Sequence, residues 1–204
     1  REVSYDGEEM LNIYSMIKEM IDKGYLGDNL LSTDAQQEGS YFQEGKAAFQ
    51  YNGSWGASGI QNSGSELYTN QTIGVTRFPA VNEEYAKVDM GGGNDSYFVS
   101  KLNKSDEEIA ASVVLLKYIS SKDFCAGLMA VNPNTMAIKT DYVSDNYLLN
   151  DIQDIMADTE LTRSDLQNYD SQAHMINTVR SALQGLAMGN TPEQVGQEII
   201  DTMA

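Results

Sequence analysis

Apolar residues recur at helical spacing near the start of the chain. Four of them are separated by four, three and four positions: Met10, Tyr14, Ile17 and Ile21. This period places them on one face of an α-helix, which predicts a helix with one buried side. Gly24 follows the last turn and is typical of a helix C-terminus.

The same period, combined with capping residues, predicts further helices along the chain. Ser105 and Glu108 form a capping box, so the helix they open should pack its apolar residues against a core. Thr191 followed by Pro192 is typical of a helix start. The predicted helical segments are 34–45, 55–64, 109–119, 123–130, 146–157, 173–188 and a last helix from 191.

Other segments alternate with the period of a β-strand. Residues 46–51 alternate before the turn residues 52–54, and residues 72–78 stop at Pro79. Residues 87–90 predict a weaker strand, and extended structure should resume over 97–100 after the glycines at 91–93. The pattern as a whole predicts a mixed α/β chain that is helix-rich toward its end.

The composition of the chain argues against a nucleic-acid partner and against an apolar segment that spans a bilayer. Thirteen Lys and Arg against thirty Asp and Glu give a formal charge of −17, which repels nucleic acid, so none is expected as a partner. The acids are scattered, which is typical of a solvated surface. The longest apolar run is four residues, far below the roughly 20 that span a bilayer.

Candidate reactive residues are few. Cys125 has no basic neighbour or second cysteine, so we interpret it as a small core residue. His174 is the one histidine and has no partnered nucleophile, so neither a catalytic residue nor a metal site is predicted. The glycine loop at 91–93 leads into a strand rather than a helix, which disfavours a phosphate site. No cofactor is expected, although thirty acids leave a chance carboxylate pair open.

Trp55 is the one tryptophan, and it supports two interpretations. It could be a core anchor, as most tryptophans are. It could also be the floor of a binding site, because Asn52, Gly53 and Ser54 beside it are small and polar and would let a ligand approach the indole. A sugar suits such a place, since its C–H face stacks on the ring and its hydroxyls bond amides.

Five segments in register resemble one family, the extracellular solute-binding protein family 1 of ABC importers, a carbohydrate-binding, maltose-binding-protein-like group. The first, FQEGKAAFQYNGSW, is similar to the family signature F-x-x-G-K-A-A-φ-x-x-x-G-x-W. The others keep the family's order along the chain. The five segments are 42–55, 73–79, 91–101, 110–121 and 189–193.

The resemblance implies an α/β fold of the periplasmic-binding-protein-like type II, mainly its C-terminal lobe, with a helix-rich mixed sheet. The family has about twice this length, so the match is to its C-terminal half. Residues 1–90 with 140–204 would form the second lobe. Residues 91–139 would supply a crossover strand and helices that pack on a mostly missing first lobe, or on a swapped neighbouring chain, and would otherwise expose an apolar face.

The resemblance also implies ligand-binding residues. Trp55 would stack on a sugar, and its neighbours would complete this lobe's share of the site. We expect the ligand contacts to come from Trp55, Asn52, Ser54, Gly92, Gly93, Asn94, Asp95 and His174. A second aromatic platform is missing near 174–176, so a glycan different from or smaller than a long maltodextrin is expected.

The implied function is that of a substrate-binding component, which is not an enzyme. It would bind a sugar or oligosaccharide in an inter-lobe cleft and deliver it to a membrane permease. The expected location is extracytoplasmic, in the periplasm or lipid-anchored on the outer face of the membrane. The sequence begins at Arg1, so a processed or shortened product is expected. The alternatives are an acidic glycan-active enzyme and a non-catalytic surface domain.

Overall fold

The computed structural model describes residues 4–91, 97–163 and 173–203, with the side chains of 173 and 174 outside that description. Helices dominate these ranges, and none of the described helices is long and apolar enough to cross a membrane. The helices are α1 (Glu8–Asp22), α2 (Ala35–Gln43), α3 (Gly56–Asn62), α4 (Glu66–Thr69), α5 (Asp106–Ile119), α6 (Lys122–Val131), α7 (Tyr147–Ala157), α8 (Ala173–Ala187) and α9 (Pro192–Met203). The strands are β1 (Val88–Met90) and β2 (Leu161–Arg163), and a 3₁₀ turn spans Glu83–Tyr85.

Helix boundaries follow the capping residues. Ser105 accepts a hydrogen bond from the Glu108 amide at 3.2 Å, and the Glu108 carboxylate accepts one from the Ser105 amide at 2.8 Å. This is the predicted capping box, and it satisfies two amides that α5 would otherwise leave without partners. The predicted helices are confirmed, each within a few residues of its expected bounds. Of the helices in the described ranges, the short α4 alone falls outside the predicted helical segments.

The chain divides into two compact units, Arg1–Gln37 with Ser164–Ala204, and Glu38–Arg163. Unit 1 has a helical core in which Tyr14, on the predicted buried face of α1, is 1% exposed. Its partners come from α8 and α9: Ala182, Leu186, Val195 and Ile199. Burial also raises the pKa of the Tyr14 hydroxyl, because the phenolate form would lose its hydration.

Unit 2 is centred on α3 and α7. Its core cluster comprises Ala57, Met129, Leu148 and Leu149. Asn146 is 0% exposed and joins the two helices through its side chain. Its oxygen accepts from the Leu149 amide at 3.1 Å as the N-cap of α7, and its amide nitrogen donates to the Ala57 carbonyl at 2.9 Å and to Gln61 at 3.0 Å. One buried amide therefore caps one helix and holds the other.

The sheet described in unit 2 is small and parallel. β1 pairs with β2 in the register Val88 with Leu161, Asp89 with Thr162 and Met90 with Arg163. Parallel strands need a long crossover, which here contains α5, α6 and α7. The chain is thus helix-rich α/β, and within the described ranges the sheet is parallel rather than mixed.

The strand predictions were right for 87–90 and wrong for 46–51, 72–78 and 97–100, none of which the structure assigns to a strand. Alternation marks a chain that could lie in a sheet, but a strand also needs a hydrogen-bonding neighbour. Among the described residues the ladder is confined to β1 and β2. Phe49 and Tyr51 are consequently 86% and 70% exposed. The sequence also gave no indication of β2.

Among the described residues α5 does not pack against a core, and the expectation that residues 91–139 pack on a first lobe stays a prediction. None of the residues of α5 is buried, and Val114, Leu115 and Tyr118 are exposed. A ring contact of 5.3 Å with Phe124 covers one side of Tyr118. Cys125 in α6 is buried as predicted, with its sulfur 3.7 Å from the Ile119 carbonyl.

Replacing Asn146 with alanine tests its double role. The change removes an N-cap and two buried hydrogen bonds, so the free energy of unfolding should fall by about 2–4 kcal/mol. Ser105→Ala removes an exposed cap of the same kind and should lower it by only about 1 kcal/mol. Urea unfolding followed by Trp55 fluorescence reports on unit 2, which contains both sites. Equal losses for the two variants would show that Asn146 acts as a cap alone.

Candidate functional site

Trp55 lies immediately before α3 with its ring over Gly53. A Cβ added to Gly53 would be 2.3 Å from the ring carbons, so the indole rests directly on the glycine backbone. A residue with a side chain at position 53 would displace the ring. Trp55 is nevertheless 64% exposed, which excludes the core-anchor interpretation. The free face of the indole is a flat apolar surface open to solvent.

Asn52 shapes the same turn. Its side-chain oxygen accepts from the Gly53 amide at 2.8 Å. A Cβ added to Gly56 would lie 2.9 Å from the Asn52 amide nitrogen, so the turn from 52 to 56 is tight on both sides. Gly53 and Gly56 therefore have a steric role, which is to let two side chains lie against the backbone.

Ser54 connects this turn to the segment between α6 and α7. Its hydroxyl donates to the Asn134 side-chain oxygen at 2.9 Å and lies 2.8 Å from the Thr135 hydroxyl. Asn134 and Thr135 are half-buried. Sequence reasoning missed both, because residues 132–135 predicted only the break after α6. Nothing local in the sequence relates position 54 to positions 134 and 135.

The core of unit 2 brings these segments together. Ala57 is three residues after Ser54 and belongs to the cluster around Leu149. Met136 directly follows Thr135 and packs against the same cluster, while Pro133 is buried. The polar group of Ser54, Asn134 and Thr135 is therefore held by apolar contacts on both of its segments.

More exposed aromatic rings lie in the segments before and after the turn. Tyr51 and Phe78 meet edge to face at 5.5 Å. Both rings are more than two-thirds exposed, at 70% and 73%. Unit 2 therefore presents several accessible rings in the segments on either side of Trp55, and such rings offer an apolar ligand further contact area.

An ionic network holds β1 to the turn after α7. The Arg77 guanidinium, 18% exposed, binds Asp89 at 3.2 Å, Asp158 at 3.1 Å and the Ile155 carbonyl at 2.6 Å. Lys87 binds Asp158 at 3.0 Å, and the Thr159 hydroxyl donates to Asp89. Hydrogen bonds from Lys87 and then Arg77 hold the pKa of the Asp158 carboxyl below its ordinary value. The network is structural, because its charges are paired with one another.

Five other predicted ligand residues fall wholly or in part outside the described structure. Gly92, Gly93, Asn94 and Asp95 lie outside the described residues. His174 is in α8 of unit 1, and its side chain is outside the description. Their assignment to a ligand site stays a prediction. No group of His, Cys, Asp and Glu suited to a metal ion occurs among the residues that the structure describes.

Gly53→Ala tests the contact between backbone and indole. The added methyl group should push the ring aside and change the near-UV circular dichroism and emission maximum of Trp55, the one tryptophan of the chain. Gly59→Ala is the matched control, because a Cβ there meets nothing within 4 Å and alanine favours the helix. Unchanged spectra for Gly53→Ala would show that the ring is not seated on the glycine.

Asp158→Asn tests the ionic network through pH. A carboxyl whose pKa is lowered by folding stabilises the protein above its unfolded pKa of about 3.9, and this contribution is lost as pH falls through the folded pKa. The wild type should therefore be more stable than the variant at pH 7, with the difference shrinking below about pH 4. Urea unfolding at both pH values measures it, with Asp154→Asn as the charge control. A difference in stability between wild type and Asp158→Asn that does not change with pH would contradict the stabilising role of the ionised Asp158 carboxylate.

The fold resembles that of a solved structure twice its length. No family model matches the sequence. A chitin oligosaccharide binding protein superimposes with a TM-score of 0.81 and 20% sequence identity, over 97% of this chain and 49% of that chain. The chain therefore spans about half the length of the structure it matches. At this identity the likeness establishes a shared fold.

Proposed function

We propose that this chain is the carbohydrate-binding half of a solute-binding protein, with Trp55 as the stacking platform for a sugar ring. The observation that carries the proposal is the indole itself, exposed, seated on Gly53 and carried by a turn that also holds the polar residues Asn52 and Ser54. The fold shared with a chitin oligosaccharide binding protein supports it.

The chemistry of a pyranose fits this arrangement. One face of the ring carries C–H groups, which stack on an indole and leave water, while the equatorial hydroxyls extend sideways toward polar groups. An apolar ring face combined with nearby polar groups that bond hydroxyls favours a sugar over a purely apolar ligand. The paired Arg77 network, by contrast, offers no open charge for an anionic ligand.

The ligand class we propose is a chitin-type oligosaccharide, a β-linked chain with an acetamido group on each ring. Support comes from the neighbouring structure, whose name describes a chitin oligosaccharide binding protein. The net charge of −17 suits an uncharged ligand, because it disfavours anionic ones.

The wider role follows the resemblance of residues 42–55 to the solute-binding signature. We propose that the chain is the C-terminal lobe of a type II binding protein of an ABC importer and acts outside the cytoplasmic membrane. A first lobe would close over the sugar, and the closed form would be recognised by a permease. Ligand contacts made only in the closed form would shift the population toward it.

Trp55→Ala tests the platform. Stacking buries about 100 Å² of apolar surface, so its loss should weaken binding of chitotetraose by about 2.5 kcal/mol, or roughly 50-fold. Isothermal titration calorimetry measures the affinity without requiring a tryptophan. Tyr85→Ala is the control, since it removes another exposed aromatic ring from unit 2 and should leave the affinity unchanged.

Two results would contradict the proposal. Unchanged affinity of Trp55→Ala would remove the indole from the site. Hydrolysis of chitotetraose by the wild-type chain, followed by chromatography of the products, would establish an enzyme in place of a binding protein.

A further inference from the structure

We infer that Asn134 and Thr135 form the specificity-determining polar contact of the sugar site, with the Asn134 amide donating to the acetamido carbonyl and the Thr135 hydroxyl accepting from the acetamido N–H of an N-acetylated sugar stacked on Trp55. This inference rests on the proposed function. Hydrogen bonds join Ser54, Asn134 and Thr135, three residues that the fold of unit 2 brings together.

The orientation of the Asn134 amide is fixed by its neighbours. The backbone amide of Thr135 can only donate, and it lies 2.8 Å from one terminal atom of the Asn134 side chain. That atom must therefore be the oxygen. The same oxygen accepts from the Ser54 hydroxyl at 2.9 Å, which uses both of its lone pairs. The amide nitrogen necessarily occupies the other position.

The two donors of this nitrogen have no partner in the structure. Within residues 4–91, 97–163 and 173–203, no hydrogen bond to the Asn134 amide nitrogen is present, although Asn134 is only half-exposed. An NH₂ group without a protein acceptor bonds water in the free protein. A carbonyl oxygen from a ligand can replace that water without loss of a protein contact.

Thr135 contributes a second polar group at the same place. Its hydroxyl lies 2.8 Å from the Ser54 hydroxyl, and a hydroxyl can donate one bond while accepting others. Since the Ser54 proton is used on Asn134, the Thr135 hydroxyl donates to Ser54 and keeps lone pairs for an N–H group. An acetamido group offers one carbonyl acceptor and one N–H donor, which matches this pair of residues.

Apolar packing and hydrogen bonds hold the cluster in place. Ser54 and Thr135 are each close in sequence to a residue of the same apolar cluster, Ala57 and Met136 respectively. Ala57 is further held by the buried Asn146 amide. Groups held in place in this way lose little conformational entropy on binding, so their hydrogen bonds contribute to affinity and to discrimination.

The neutral pair chitotetraose and cellotetraose isolates the acetamido contact, because the two sugars differ only in the substituent at carbon 2. The wild-type chain should bind chitotetraose more tightly. Asn134→Asp keeps the oxygen that accepts from Ser54 and Thr135 and removes the donors. We expect roughly a tenfold loss of affinity for chitotetraose and little change for cellotetraose. Calorimetry and the fluorescence of Trp55 both measure these affinities.

Asn132→Asp is the matched control, since it adds the same charge at an exposed position two residues away and should leave both affinities unchanged. Thr135→Val is a second variant that keeps the shape of the side chain and removes its hydroxyl. It should also reduce the ratio of the affinity for chitotetraose to the affinity for cellotetraose. Thermal unfolding of each variant checks that unit 2 stays folded. If Asn134→Asp unfolds, the affinities of Thr135→Val for chitotetraose and cellotetraose decide the inference by themselves.

Wild-type preference for chitotetraose retained in Asn134→Asp and Thr135→Val would overturn this inference, while loss of binding in Trp55→Ala would leave the proposed function standing. Absence of binding of both sugars by the wild-type chain would overturn the two together.

Discussion

The geometry of unit 2 depends on one buried amide. Asn146 caps α7 with its oxygen and bonds α3 with its nitrogen, at a position with no solvent access. Water cannot replace these bonds, so α3 and α7 must keep their spacing for the amide to be satisfied. The apolar cluster of Ala57, Leu148 and Leu149 packs around it. These contacts therefore hold the start of α3, from which the turn that carries Trp55 extends.

The turn before α3 presents the apolar ring of Trp55 at the surface of unit 2. Two glycines let side chains lie flat on the backbone, with the indole over Gly53 and the Asn52 amide against Gly56. Ser54, the residue before Trp55, bonds the segment after α6 through its hydroxyl. A short turn thus carries a stacking surface and, one residue away, a hydrogen-bonded polar group. Amphipathic ligands such as sugars need both, and they need them fixed before binding.

Much of the helical structure could be predicted, because the information for it is local. The 3.6-residue period predicted α1 and put Tyr14 on the buried face of that helix. The capping box predicted where α5 starts. The strands could be predicted less well, since an alternating segment such as 46–51 becomes a strand only beside a partner. The exposure of Phe49 and of α5 likewise depends on what lies next to them, which periodicity does not encode.

The sequence by itself determined the helices, the excluded partners and the single indole in its glycine-bordered turn, because propensity, charge and steric demand act between near neighbours. Tertiary structure alone decided that the indole is exposed and that Asn134 and Thr135 lie beside Ser54. These contacts join residues about 80 positions apart, as the Ser54 to Asn134 bond shows. Their proximity results from the packing of Ala57 and the partly buried Met136 in one shared cluster, which no local pattern records.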